Sequence, residues 1–472
     1  MGSVDNSRER SISTRTWFLV GLSILGLLCL LLAYCVRERD HSYDWLVMLY
    51  MVAGEPEIDE RLLWDLNEIE AVGSSDRVAI VAQFDALDVV GSEASTAVKR
   101  YLVSQDPNLF VFRSRPLEDL GELDMTDPAV LSQFISWAAE AYPAEHRMLV
   151  LAGHGGGWHG VLLDDSSPTP TVMMSIPDVT ASLETSLRIA GTERFDIVGF
   201  SACLMAQIEV LSALAPYTTY VVASECTECA LGWGYHGFLD ALRTEPSMRP
   251  ADLAVEIVES QIFGDAFVAD ESARVVGFLE ACLDPQELTP ELVQDLSEMP
   301  HAEILEFCES LDLDFDWIPT PEQKALQSDA HAEYATIAAF DLRAIPDVLE
   351  GIHTLGRSLR GMDQTRLAEL RMTCRGARPG CWDVYDYVDL ICLASRAEGQ
   401  SNSIDLTDAL EDLVIARRVG SELSALSGIS IDFSTDCSSL DAYRAANREF
   451  VTRTSWDEVL RRHCEFAGQD SP

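Results

Sequence analysis

The sequence predicts an α/β fold: a mostly parallel sheet with helices on both faces. Three observations carry this. Short apolar runs without polar alternation recur through roughly the first 270 residues, as strands buried on both faces require. Segments of helical spacing separate them, and strands that alternate with helices build parallel sheets through crossovers. Finally, the chain has 472 residues, 47% of them hydrophobic, which exceeds one ordinary core and predicts two domains.

In chain order, residues 45–52 read as the first buried strand. Ile58, Leu62, Leu66 and Ile69 then share one helical face, and Gly73 to Asp76 end that helix. Residues 78–83 are the next strand, and 100–103 with 109–112 read as an edge hairpin. Asp127 N-caps a helix that runs to about Ala141, with Pro128 in its first turn. Residues 147–152, a helix near 178–189, residues 195–200, a helix from Met205 to about Leu214, and residues 219–224 continue the alternation. Beyond about residue 270 the grain changes. Residues 275–279, 336–340 and 428–433 are strand-like between long helical stretches, and residues 285–330 form an acidic, proline-containing insertion. The expected organisation is a leader at 1–16, an apolar span at 17–36, an α/β domain at 44–270 and a smaller α+β domain at 271–472.

A formal net charge of -45 excludes nucleic acid as a partner, because phosphate neutralisation needs basic patches. Residues 17–36 are twenty uncharged positions, enough for one helix to span a bilayer. Arg8, Arg10 and Arg15 precede the span and Arg37 and Arg39 follow it, so the positive-inside bias is slight. The expectation is an uncleaved, single-pass anchor with the bulk of the chain extracytoplasmic. A cleaved signal peptide and a lipoprotein signal ending at Cys35 are the alternatives; Tyr34 stands where the latter needs a small residue. Of twelve cysteines, two lie in the span, and nine remain besides Cys203, an odd number that cannot all pair within the chain. Cys226-Thr-Glu-Cys229 has metal-ligand spacing but no second such pair, which favours a local disulfide or packing.

The chemistry concentrates in two places. His154 opens His-Gly-Gly-Gly-Trp158 after one apolar run, and Cys203 stands in Gly199-Phe-Ser-Ala-Cys-Leu-Met205 after another. Carboxyl ends of parallel strands are where open α/β sheets carry their sites. There an imidazole can hold a thiol as thiolate and protonate a leaving amine, which is acyl transfer through a thioester. The glycines let the backbone pass close to substrate and adopt positive φ. The amides of Gly155 and Cys203 can point at one oxyanion. The plain alternative is a histidine on a glycine turn and a buried small cysteine. His159 and His236 are read as surface, pocket lining or packing. Asp164 and Asp165 are read as a solvated turn rather than a cation site. No cofactor is expected; calcium is left open.

These stretches resemble the clostripain family of cysteine endopeptidases, relatives of caspases, gingipains and legumain. The resemblance lies in residues 45–51, Asp65-Leu-Asn-Glu-Ile-Glu70 with Gly73, His154 to Trp158, Gly199 to Ala206, and Ala223-Ser-Glu225 with Gly232-Trp233. Residues 339–342, 383–389 and 428–431 match more loosely. The resemblance implies a caspase-like α/β/α sandwich, His154 as general base and acid, Cys203 as nucleophile and polypeptides as substrates. It also exposes a departure. Arginine-cleaving members have Asp-Ala-Cys where this chain has Ser201, and a second acid, before Gly-Trp, corresponds to Leu231. The substrate pocket is thus expected around Ser201, Glu225, Glu228, Leu231 and Trp233. A neutral P1 preference is anticipated unless Glu225 or Glu228 supplies the missing charge. The rival readings are an anchored scaffold that lost turnover, and an amidase or transpeptidase using the same thioester.

Overall fold

The computed structural model describes residues 42–53, 56–85, 97–106, 112–164, 172–228, 232–261, 335–375, 385–397 and 406–467. In the first half lie β1 (Tyr43–Val52), α1 (Pro56–Val72), β2 (Val78–Asp85), β3 (Val98–Leu102), β4 (Pro116–Asp119), α2 (Pro128–Ala141) and β5 (Ala144–Ala152). They are followed by α3 (Ile176–Ala190), β6 (Phe195–Ser201), α4 (Ile208–Leu214), β7 (Thr218–Ala223), α5 (Tyr235–Thr244) and α6 (Pro250–Ser260). The second half adds β8 (Thr336–Asp341), α7 (Ile345–Gly361), β9 (Tyr387–Asp389), β10 (Val414–Val419) and β11 (Ser430–Asp432), with further short helices to Ala467.

One sheet of nine strands dominates, in the order β10-β8-β7-β6-β5-β1-β2-β3-β4. Its centre, β7-β6-β5-β1-β2, is parallel; both flanks are antiparallel. The apolar run of β1 explains its central place. Leu46, Met48 and Tyr50 face one cluster, with Leu131, Val179 and Leu211 from α2, α3 and α4. Trp45, Val47 and Leu49 face the other, with Leu62 and Leu66 of α1 and Leu239 and Ile257 of α5 and α6. Each such side chain is worth about 1.5–3 kcal/mol when fully buried, and a strand covered on both faces collects this at every residue. The helix caps follow the sequence: Asp127 accepts the Ala129 N–H at 2.8 Å, with Pro128 at the first turn of α2.

Several expectations change. β3 pairs with β4 at 116–119, while of the expected strand at 109–112 residues 109–111 lie outside the described residues. From the second half, β8 and β10 join the main sheet rather than forming one of their own, so the sheet continues past residue 270. The strand-like run at 275–279 and the insertion at 285–330 lie outside the described residues. A two-stranded sheet, β11-β9, sits beside the end of β6, joined to it where the Ser430 N–H meets the Ala206 carbonyl at 2.9 Å. Disulfides Cys374–Cys392 and Cys437–Cys464 staple the second half, and Cys226 is also disulfide-bonded.

The transmembrane helix is withdrawn from the fold class, and the single-pass membrane localisation with it. Residues 17–36 lie outside the described residues, and among the described residues no helix is long and apolar enough to cross a membrane. Helix α3, for example, is apolar on one stripe: it buries Val179, Leu183 and Leu187 and exposes Glu184 and Arg188. The corrected class is a mixed α/β fold around a large sheet with a parallel centre.

Candidate active site

Strand register decides which residues meet. Ala152 pairs with Ser201 across parallel β5 and β6, so His154 and Cys203 each lie two residues beyond a paired position. Neighbouring strands run about 4.8 Å apart, which sets the two residues side by side at the carboxyl edge of the sheet. Gly155 tightens the junction. A Cβ there would stand 2.2 Å from the Cys203 carbonyl oxygen and 3.0 Å from its amide nitrogen, so only glycine fits. The expectation of positive φ along the whole glycine run is corrected: of Gly155 to Gly157 only Gly157 is left-handed, at +62°. At Gly155 the requirement is close approach instead. After the thiol the chain turns sharply, with Leu204 at φ +66°, a costly conformation for a non-glycine residue. Hydrogen bonds from Leu204 N–H to Cys226 O (3.0 Å) and from Ala206 N–H to Ser224 O (2.8 Å) hold it there.

The Cys203 thiol is free and partly exposed, and its Sγ accepts the Glu228 N–H at 3.2 Å. Burial pushes this thiol above the ordinary cysteine value, the nearby Glu228 charge adds to the shift, and the Glu228 N–H and Arg61 only partly offset it. A resting thiolate, which the sequence suggested, is therefore disfavoured.

Beside the thiol, Ser201 is fully buried, and its carbonyl accepts the Arg61 Nη2–H at 3.4 Å. Glu228 accepts from Trp233 Nε1–H at 3.0 Å; burial pushes it up to about 7 against the opposing pull of Arg61. Asp65 is buried and raised to about 8 by desolvation, with Arg61 opposing and Glu228 adding. Glu225 points elsewhere: it accepts the Gly428 N–H at 2.6 Å and lies against Asp389. Leu231 lies outside the described residues. Neither Arg61 nor Asp65 is assigned to the site by the sequence, although Asp65 opens a stretch that carries the family resemblance. Their local signal is a pair of charges a helical turn apart, beside Leu62 and Leu66 on the stripe that faces the sheet.

His159 is not brought to Cys203. It stacks between Trp158 (3.9 Å) and Tyr385 (4.2 Å), and burial lowers its pKa. Its Nδ1 meets the Tyr387 hydroxyl at 2.9 Å, and that hydroxyl donates to the Gly156 carbonyl at 2.6 Å. Trp158 donates its backbone N–H to Gln207 Oε1 at 2.7 Å and its indole N–H to the buried Asp432 carboxyl group. Residues of β9 and β11 thus brace the glycine loop from below, which no local pattern announced. His236 lies in the first turn of α5, half-buried, with a pKa lowered by burial. Asp164 is buried and accepts the Met125 N–H at 2.9 Å, so it is no solvated turn, while Asp165 lies outside the described residues. Among the described residues no group of three or more His, Cys, Asp or Glu is arranged to hold a metal ion.

Comparison with known proteins meets this geometry from the other side. A model of the clostripain family matches residues 49–307. Clostripain of Hathewaya histolytica is 25% identical over 195 residues, which cover 37% of this chain and 35% of that protein. The chain thus matches about a third of the length of that relative. Among solved structures, a secreted C11 cysteine protease from Bacteroides thetaiotaomicron, in complex with an irreversible peptide inhibitor, superposes with a TM-score of 0.57 at 16% identity. It covers 88% of this chain and 99% of its own. An inactive zymogen of a C11 protease from Parabacteroides distasonis gives a TM-score of 0.54 at 14% identity, covering 89% and 98%. At that identity the likeness establishes the fold. The family model spans more than half of the chain, and with it this protein belongs to the clostripain family of cysteine peptidases.

Proposed function

We propose that this protein is an endopeptidase that cleaves through a Cys203 thioester, with His154 as general base and acid and a P1 preference other than arginine or lysine. The adjacency of His154 and Cys203, set by the Ala152–Ser201 register and by the contact at Gly155, carries the reading. His154 takes the thiol proton as Sγ attacks the scissile carbonyl carbon. The amides of Gly155 and Cys203 stabilise the resulting oxyanion, an interaction that removal of one donor makes worth about 2.7–4 kcal/mol. The C–N bond then breaks, and the imidazolium gives its proton to the leaving amine. Water, deprotonated by the same imidazole, opens the thioester to a carboxylic acid and restores the thiol. No step needs a cofactor.

The P1 preference follows from what the acids do. Ser201 brings no charge, Glu225 is bonded into the second half, and Glu228 is held by Trp233 and faces Arg61. Among the described residues, the acids Asp65 and Glu228 already share the field of Arg61, which opposes a substrate guanidinium. The test is labelling by a peptidyl acyloxymethyl ketone in the intact protein and in Cys203→Ala. Cys203-dependent labelling together with peptide cleavage supports the reading. Absence of both across varied sequences would favour a scaffold that has lost turnover.

A further inference from the structure

We propose that Gln207 is a positioning residue whose buried amide ties the glycine loop after His154 to the chain after Cys203, and so holds the Gly155 amide in place beside the thiol. This rests on the peptidase reading and names a further residue that the reaction needs. The observation behind it is a clamp on both sides of the candidate dyad. Before the dyad, the Gly153 N–H meets the Ser201 carbonyl at 3.1 Å. Beyond it, the Trp158 N–H meets Gln207 Oε1 at 2.7 Å. Trp158 lies four residues past His154 and Gln207 four past Cys203, so the two chains that part at the site are joined again at matching depth.

Gln207 is rigidly mounted for this work. It is fully buried; its carbonyl accepts the Leu211 N–H of α4 at 3.0 Å, and its backbone bridges in parallel to Ser430 of β11. It stands at the N-cap position of α4, yet its side chain makes no capping bond there and crosses to the glycine loop instead. Burying an amide is unfavourable unless its polar atoms are used. Here the oxygen serves the Trp158 N–H, and the amide also bonds the Tyr387 hydroxyl, which donates to the Gly156 carbonyl at 2.6 Å. Gln207 thus holds the loop directly at Trp158 and through Tyr387 at Gly156, the neighbour of Gly155. The loop is shaped to receive it. A Cβ at Gly157, which is left-handed at +62°, would stand 2.6 Å from Gln207 Oε1 and 2.8 Å from the Tyr387 hydroxyl oxygen.

The chemistry of the amide matters as much as its place. It supplies an acceptor and a donor without charge. A glutamic acid of the same shape does so only while protonated. The surroundings oppose its ionisation: Tyr387 of β9 stands against it, with Asp432 of β11 and Glu209 of α4 around that hydroxyl. His159 lies on the far side of Tyr387, Tyr443 bonds Glu209, and Arg371 offsets Asp432 only in part. An ionised glutamate there would also draw the Tyr387 hydroxyl away from Gly156 and free the loop.

The test uses the full-length protein and a peptide whose cleavage depends on Cys203, with Cys203→Ala as blank. Gln207→Met keeps the volume and removes both polar atoms. Its kcat/KM is expected to fall at least about tenfold, because small displacements of reacting groups and oxyanion donors are costly. Alkylation of Cys203 by iodoacetamide develops no oxyanion, and should stay within about twofold of the wild-type rate. Gln207→Glu should approach wild-type kcat/KM at low pH and lose about tenfold relative to wild type as its carboxyl group ionises. That variant decides the matter if Gln207→Met does not fold. Wild-type kcat/KM in Gln207→Met overturns the assignment and leaves the peptidase reading intact. Equal loss of cleavage and alkylation also overturns it, since that marks a merely structural side chain. So does a Gln207→Glu to wild-type ratio that is flat in pH. No Cys203-dependent cleavage of any peptide by the wild type overturns both.

Discussion

Replacing Gly155 by alanine adds one methyl group at the tightest point of the site. That carbon would sit 2.2 Å from the Cys203 carbonyl oxygen, whereas ordinary contact begins near 3.4 Å, so about 1.2 Å must be found. The obstructing atoms are backbone, at the turn just past the end of β6, and no side chain can swing away to make room. Because Gly155 is not left-handed, the alanine is conformationally permitted. The cost is therefore purely one of separation between the ends of β5 and β6. Overpacking of this kind destabilises by about 1–3 kcal/mol. Its functional effect is larger, since a misplacement of about 1 Å between reacting groups costs about 100-fold in rate. The assay measures kcat/KM on a Cys203-dependent peptide together with the thermal midpoint. Gly361→Ala, where nothing lies within 4 Å of the added carbon, is the control. The expectation is a folded variant with kcat/KM reduced about 100-fold, and a control at wild-type rate. A Gly155→Ala protein retaining more than half of its activity would refute the claim that this contact sets the distance between His154 and Cys203.

Other expectations are briefer. The rate of Cys203 alkylation by iodoacetamide should climb with pH through a midpoint above that of an ordinary cysteine, as burial and Glu228 require; a plateau below pH 7 would show a resting thiolate instead. Tyr387→Phe removes the donor to the Gly156 carbonyl, and should cost about 1–3 kcal/mol in stability with about tenfold lower kcat/KM. Unchanged kinetics there would release the second half from any part in positioning the glycine loop. Burial, with Asp432 adding, raises Glu209 to about 8 from its ordinary 4.5. The unfolded chain then releases this proton first as pH rises, so the folded state loses stability between about pH 4.5 and 8 and levels off above. In Glu209→Gln the thermal midpoint should fall less steeply over that window than in the wild type; equal slopes would disprove the assignment.

Much of this molecule was legible in the chain. The apolar runs at 45–52, 78–83, 147–152 and 195–200 fixed a parallel-centred sheet, because strands buried on both faces tolerate no polar alternation. The same runs located His154 and Cys203 at strand ends, and Asp127 with Pro128 announced the start of α2. What stayed hidden depends on contacts distant in sequence. Arg61 looked like any helix-surface charge until α1 packed it against the Ser201 carbonyl, 140 residues away in sequence. Tyr387 reaches Gly156 across a separation of 231 residues, and β8 and β10 entered the main sheet from beyond an acidic insertion. Periodicity reports which face of an element is buried, whereas register and packing decide what that face meets. So the sequence by itself determined the reaction class to expect and the two residues to examine. Only the tertiary structure decided that burial raises the thiol's pKa, that Glu225 is committed elsewhere, and that Arg61 lies against the Ser201 carbonyl. Each of those is a matter of burial and of charges brought together by folding.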